Sequence, residues 1–567
     1  MATGTWRAGY LVGLLLAGLA MAAPPELERV RVPMRDGVKL AAHVFRPAAK
    51  GRFPVILIRT PYGKGKDLPR QYRVFVEQGY AVVIQDVRGR YESEGTFDPL
   101  RQETRDGDDT LNWVGRQAWS NGRVGMTGGS YLGIVQWKAA LSGNRYLKCI
   151  FPVVSGNDDY RDRFYSTGGA MKLGNRLQWL ASNMRAPGYT PPDFGLFVQA
   201  LPVQAADLAA TGQQIRMFQE AIEHPAFDGY WKSISTREQL AKVRVPVFSV
   251  GGWYDNFVQS DVEAFAALRA MGRVAYTVIG PWAHNMSTPF EGFAFGPESA
   301  APIQRYQLEW FDRWLKDKAP RRQMAAARIF VMGINRWREE AQWPPAGVVD
   351  TPLYLESRTG ANGVAGDGRL DWRAETREHE DRFVYDPVRP VPTMGGNTCC
   401  NPAVFRWGPM DQAAVEARED VLVYTSEPVR EELEVTGAVR ARLYVSTSAR
   451  DTDFTVKLVD VHPDGRAVNL TDGVLRLRYR EGLERVVASE PGRIYAVTVD
   501  AGVTSNVFLA GHRVRVEISS SNFPRFDRNM NTGGANGFAR KGVVARQSVL
   551  TGGSFPSHLV LPVVRTR

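Results

Sequence analysis

A chain of 567 residues, 44% hydrophobic and 23% charged, is longer than one core usually supports, so two or three domains and room for an enclosed site are expected. Its formal charge of +11 comes from 71 basic and 60 acidic residues spread along the chain. Only Arg321-Arg322 and Arg565-Thr566-Arg567 approach a cluster, and without a basic stripe or a reading motif nucleic acid is excluded as a partner.

Residues 1–22 read as a secretory signal: Arg7 gives the positive start, Tyr10 to Leu19 the apolar stretch and Ala20-Met21-Ala22 a small-residue cleavage site. The mature chain is then expected to begin near Ala23 and to be exported to a periplasm or the medium. The apolar stretch is short for a bilayer, so no stable membrane insertion is expected after cleavage. From Phe53 to Trp314 short apolar runs alternate with helical ones. Runs 54–59, 80–85, 149–154, 245–250 and 275–279 read as buried parallel strands, and 106–117 and 262–271 as helices. This alternation predicts an open α/β sheet with helices on both faces and a ligand beyond the carboxyl ends of the strands. A stretch rich in Pro, Met, Gln and Trp interrupts it and reads as an inserted helical cap. After Pro320 the texture changes to short alternating strands between Gly, Asn, Asp and Pro, the pattern of an all-β sandwich. The expected domains are 23–156 and 244–320 for the two parts of the α/β unit, 157–243 for the cap and 321–567 for the β unit with its linker.

Three cysteines give no disulfide framework: Cys149 lies in a strand-like run, while Cys399 and Cys400 are adjacent and either form a strained vicinal disulfide or stay reduced. Seven histidines without paired spacing give no support for a metal, and no cofactor is expected.

Gly125-Met126-Thr127-Gly128-Gly129-Ser130-Tyr131-Leu132-Gly133 falls between strand-like Gly122-Arg123-Val124 and a helix-like run from Ile134 to Ala140. A nucleophile elbow puts a serine on a strained strand-to-helix turn and needs small residues around it. Gly128 and Gly133 supply them, although the second position after the serine is Leu132 rather than glycine. A serine hydroxyl also needs a base, and the base an acid to hold its tautomer. In the α/β-hydrolase order the acid comes first, then histidine. Asp255, in Gly251 to Phe257, and His284, in Gly280 to Asn285, follow successive strands in that order. Taken singly, Asp255 could cap the next helix and His284 could be a loop residue; with Ser130 they make a triad. His43 precedes the serine, His224 lies in the cap, and His379, His462, His512 and His558 lie in the β part. An oxyanion would take one donor from the Tyr131 backbone N–H. No His-Gly-Gly motif supplies the second. Tyr62, in Arg59-Thr60-Pro61-Tyr62-Gly63-Lys64, offers a phenol at the matching strand end, or is a structural turn tyrosine.

Thr60-Pro61-Tyr62, Asp86 to Gly95, Gly128 to Gly133, Gly252-Trp253-Tyr254-Asp255, Gly280 to His284, Gly408 to Gln412 and Ser519 to Asp527 resemble the family of bacterial cocaine esterase, α-amino-acid ester hydrolases, cephalosporin acylases and X-Pro dipeptidyl-peptidases. The resemblance implies an α/β-hydrolase domain, a helical cap and a C-terminal jelly roll. It also implies Ser130, Asp255 and His284 as triad, with Tyr62 and the Tyr131 amide as oxyanion hole, and a support role for the Asp86 to Gly95 loop. The α-amino-acid ester hydrolases carry acids just after the catalytic aspartate to hold a substrate ammonium. Here those positions are Asn256, Phe257 and Val258, which leaves only Asp158, Asp159 or Asp162 in the cap to supply an acid. Tyr62, Tyr131, Trp253, Phe257 and Trp282 suggest an aromatic pocket for an apolar acyl or aryl group, with Trp253, Phe257 and Trp282 as substrate contacts. The expected activity is hydrolysis of small carboxylic esters or activated amides through an acyl-enzyme. The alternatives are an X-Pro dipeptidyl-peptidase, a β-lactam acylase, or a catalytically dead binding protein that uses the jelly roll. The oligomeric state stays open, a homo-oligomer included.

Overall fold

Strand alternation builds the first half of the molecule. In β3 (Phe53–Thr60), Val55 and Leu57 enter one core cluster while Ile56 and Ile58 enter the other; in β4 (Ala81–Asp86), Val83 and Ile84 divide likewise. The computed structural model describes residues 25–48, 50–319 and 324–565, so the expected signal segment lies outside the described residues. No helix among them is long and apolar enough to cross a membrane.

These two strands belong to a ten-stranded sheet with β1 (Glu26–Pro33), β2 (Lys39–Arg46), β5 (Ser120–Gly129), β6 (Leu147–Val153), β7 (Val247–Tyr254), β8 (Ala275–Ala283), β9 (Ala327–Val331) and β10 (Arg336–Glu340), in the order β1-β2-β4-β3-β5-β6-β7-β8-β9-β10. β3 to β9 run parallel to their neighbours; β1, β2 and β10 are antiparallel edges. One face is covered by α1 (Arg70–Glu77) and the helix Ile303–Lys316 through Phe75, Trp310 and Phe311. The other is covered by α2 (Glu103–Arg116), α3 (Tyr131–Ala140) and the helix Val258–Ala270 through Leu111, Trp137 and Phe265. Each such fully buried apolar side chain contributes about 1.5–3 kcal/mol relative to exposure.

Between β6 and β7 the chain leaves the sheet to form short helices, of which α4 (Leu173–Asn183) lies nearest the strand ends. From Val348 to Val564 eleven strands form the C-terminal jelly-roll sandwich. Past residue 320, where the β unit with its linker is expected to begin, two strands still join the first sheet. β9 and β10 extend the α/β sheet beyond it, because Thr277, Val278 and Ile279 of β8 pair in parallel with Ala327, Arg328 and Ile329. Short alternating strands read alike in either sheet, so composition alone cannot place this edge.

Candidate active site

β5 runs directly into α3, and Ser130 occupies the single residue between them with φ 57° and ψ −124°. That left-handed geometry is strained for a residue with a Cβ, and the surroundings enforce it. The Ser130 N–H donates to the Val153 carbonyl at 2.9 Å, and its own carbonyl accepts from the amides of Gly133 and Ile134. A Cβ on Gly128, at φ +136°, would lie 2.5 Å from Leu132 Cβ; one on Gly133 would lie 2.5 Å from Ser155 Cβ. Buried Gln136, which carries no signal in the sequence, stitches the turn from beneath. Its Nε2 donates to the Gly128 and Leu132 carbonyls, and its Oε1 accepts from the Phe151 amide.

Ser130 Oγ is 3.0 Å from His284 Nε2, and His284 Nδ1 is 2.6 Å from Asp255 Oδ2. Asp255 is fully buried and its Oδ1 accepts from the Phe257 amide at 3.0 Å. Burial favours the neutral imidazole, but the charge and the hydrogen bond of Asp255 outweigh it and lift the His284 pKa to about 9. From the C-terminal part of the chain, buried Asn397 donates through Nδ2 to the backbone carbonyls of Trp253 at 2.7 Å and Asp255 at 3.1 Å, clamping the loop that carries the acid.

Tyr62 lines the same cavity as the serine, and its phenol accepts from Trp179 Nε1 at 3.1 Å. The loop carrying Tyr62 is held by the Asp86 loop. Asp86 accepts from the Lys64 amide at 2.6 Å and pairs with Lys64 Nζ at 3.0 Å, Arg90 Nε donates to the Pro61 carbonyl, and the Val87 amide donates to the Thr60 carbonyl. The Tyr131 amide begins α3 beside Ser130. Its side chain is anchored away from the serine, donating to Glu103 Oε1 at 2.9 Å and accepting from the Leu100 amide, while Arg59 pairs with Glu103.

Ser130 and His284 open on a cavity of about 310 Å³. Leu100, Ile134, Trp179, Met217 and Phe257 give it apolar walls, and the Trp179 ring stacks on Tyr131 at 6.1 Å. Asp162, Arg163, Asn175, Arg176 and Asn256 form a polar side. Phe257 lines this cavity, 5.7 Å from the His284 ring. Trp253 and Trp282 do not. β7 and β8 run further than their apolar runs suggest, so both tryptophans are strand residues buried in the cores on opposite faces of the sheet. Trp253 Nε1 donates to the Phe330 carbonyl, and Trp282 Nε1 to the Ser299 carbonyl.

Cys399 and Cys400 are free thiols and line the cavity, a placement their spacing could not reveal. The Cys399 thiol is held well above its ordinary pKa, first by hydrogen bonding with Cys400 and then by burial. Of the acids considered for an ammonium, Asp159 pairs with Lys138 and Arg163, and Asp158 with Arg161. Asp162 faces the cavity. Burial, then the nearby Asp158 charge, push its pKa up to about 7 against the pull of Arg163 and Lys172, and its Oδ2 accepts from the Asn157 and Asp158 amides. The metal-ligating types that come together among the described residues are Asp460, His462 and His512. There His512 Nδ1 is already engaged with Asp460 Oδ1 at 2.8 Å.

A hydroxyl beside an imidazole whose other nitrogen faces a carboxylate, with an amide and a phenol converging on the same point, suits acyl transfer. Residues 36–286 match the family model of X-Pro dipeptidyl-peptidase (S15 family), and residues 322–560 that of the X-Pro dipeptidyl-peptidase C-terminal non-catalytic domain. The sequence is 41% identical over 572 residues to cocaine esterase from Rhodococcus sp. (strain MB1 Bresler), covering 94% of this chain and 98% of that one. Among solved structures, an aminopeptidase from a marine sediment archaeon, Thaumarchaeota archaeon, matches with a TM-score of 0.84 at 26% identity, covering 98% of this chain and 99% of that one. An α-amino acid ester hydrolase matches with the same TM-score at 27% identity, covering 97% and 100%.

Proposed function

Because the chain belongs to the X-Pro dipeptidyl-peptidase (S15) family of serine hydrolases, we propose that Ser130, His284 and Asp255 hydrolyse carboxylic esters of an apolar or aromatic acyl group through an acyl-enzyme. The observation that carries this reading is the hydrogen-bonded chain from Asp255 through His284 to Ser130 at the mouth of an apolar-walled cavity. His284 Nε2 takes the Ser130 proton as Oγ attacks the ester carbonyl. The oxyanion accepts from the Tyr131 N–H and the Tyr62 phenol. His284 then returns the proton to the departing alkoxide, and in the second half activates water to release the acid and restore Ser130. Asp255 holds the imidazole with Nε2 facing the serine and stabilises its charged form.

The peptidase alternative needs an anion for the free amino terminus. Asp162, the one carboxylate among the cavity-lining residues, is bonded to backbone amides and flanked by Arg163 and Lys172, which favours the ester reading. Export rests on the 1–22 segment, and N-terminal sequencing of secreted protein starting near Ala23 would support it.

The test compares kcat/KM on a neutral p-nitrophenyl acyl ester and an Xaa-Pro p-nitroanilide, with Ser130→Ala as the blank. Ester turnover is expected to dominate and to fall by about 10⁴–10⁶ in the variant. Efficient anilide cleavage would replace this reading with the peptidase one.

A further inference from the structure

Deepening the ester-hydrolase reading, on which this inference rests, we infer that the wall of the cavity formed by Arg176 and Asn175 is a subsite for an anionic group, a carboxylate, on the substrate. Helical spacing on α4 turns Asn175, Arg176 and Trp179 toward the cavity. Arg176 is pinned but not neutralised. Its Nε and Nη2 both donate to the Arg163 carbonyl, at 3.3 and 2.8 Å, and its guanidinium lies 4.4 Å from the centre of the Phe164 ring. Nη1 has no hydrogen-bond partner among the described residues, and no carboxylate pairs with the group. Burial without a counter-charge pulls the Arg176 pKa down to about 10. Several buried cations here are compensated by contrast: Arg59 faces Glu103, Lys138 faces Asp159, and Arg476 faces Asp453 and Asp527.

A second donor stands beside it. Asn175 is 5% exposed and lines the cavity, and its Oδ1 accepts from the Cys399 amide at 3.2 Å, which leaves Nδ2 as its donor. That Nδ2 is buried and has no acceptor. An unpaired buried donor is unfavourable, and a bound anion would satisfy it. Both residues belong to the first turn of α4, where the helix dipole also favours negative charge. Asp162 does not fill the role, since no bond joins it to Arg176 and its Oδ2 is taken by backbone amides. A guanidinium and an amide donor lining one space bind a planar carboxylate, and the neighbouring Trp179 and Phe257 receive the apolar remainder.

The anion could lie on the acyl or the alcohol side, and the experiment has an arm for each. For the acyl side, mono-p-nitrophenyl glutarate is compared with p-nitrophenyl methyl glutarate, in which a methyl ester caps the charge. For the alcohol side, 4-acetoxybenzoate is compared with its methyl ester. The charged-to-capped ratio of kcat/KM, corrected for alkaline hydrolysis, is expected to be about 10- to 100-fold on one side. That ratio falls to near one in Arg176→Gln and is partly kept in Arg176→Lys. A ratio at or below one on both sides, or one that survives Arg176→Gln, overturns the subsite while leaving the esterase intact. Absence of Ser130-dependent turnover of all these esters would sink the ester reading and the subsite with it.

Discussion

His284 has to be neutral to accept the Ser130 proton, yet Asp255 holds its pKa near 9, above the ordinary 6.5. A raised pKa moves the acid limb of the rate profile upward. kcat/KM is therefore expected to climb with pH through a midpoint well above 6.5. Asp255→Asn removes the charge that lifts it, so the midpoint should move toward acid while kcat falls by about 10⁴. A pH–rate profile of both proteins reads the two effects separately, and an unmoved midpoint would mean that another group sets this limb. Tyr62→Phe removes the phenolic donor, and with it the acceptor of Trp179 Nε1, and is expected to lower kcat by about 10²–10³ with little change in KM. The order of Ser130, Asp255 and His284, and their places near strand ends, could be read from the sequence because Ser130 sits in a glycine-rich elbow and the other two each follow an apolar run. Arg176, Trp179 and Asn397 could not. Nothing near them in the chain has a period or motif that refers to Ser130, and their approach depends wholly on tertiary packing.

The elbow and the two loops around it work as one element, because each turn is braced by a neighbour rather than by its own sequence. Gly128→Ala and Gly133→Ala each push a methyl to 2.5 Å from a side-chain carbon, and the first also sits at a φ that L residues rarely adopt. Each is expected to cost about 1–3 kcal/mol and to reduce kcat by displacing Ser130. Urea unfolding alongside kinetics checks both. Asp86→Ala strips a carboxylate from Lys64, which is 4% exposed, and leaves the loop bearing Tyr62 without its main anchor. Stability is expected to drop by about 3 kcal/mol, less whatever Glu92 recovers through its own contact with Lys64 at 2.9 Å. The parallel strands were legible as continuous Val and Ile runs. Their ends were not, since glycine and tryptophan read as loop after the apolar run stops. That is why Trp253 and Trp282 were expected beside the substrate when hydrogen bonds to Phe330 and Ser299 hold them in the cores.

At the scale of the whole molecule the jelly-roll part of the chain reaches the candidate site rather than standing apart from it. Its side of the chain supplies Asn397 to the loop of the acid, Cys399 and Cys400 to the cavity wall, and the Asn469 carbonyl to the Tyr254 hydroxyl. Asn397→Ala removes both bonds, the Asp255 carbonyl keeping only its 3.3 Å contact with the Val258 amide, and is expected to cost about 1–3 kcal/mol and to lower the melting temperature and kcat together. A thermal melt and a kcat measurement on one sample decide whether the two move together. The change in texture near residue 320 announced a β domain. It could not announce that β9 and β10 would cross back to the hydrolase sheet, or that the C-terminal part would complete the site.

The Asn397 clamp joins Asp255 to a residue 142 positions later in the chain. At synthesis rates of about 5–20 residues per second, the ribosome needs roughly 7–30 s to reach it after making the aspartate. Once His284 follows, 29 residues after the aspartate, the growing polypeptide carries serine, acid and base for the rest of that interval with the acid's loop still unfastened. Hydrolytic competence would then arrive late in biogenesis, as a kind of built-in delay. A polypeptide ending after β10, however well its sheet formed, would remain a precursor without a working centre.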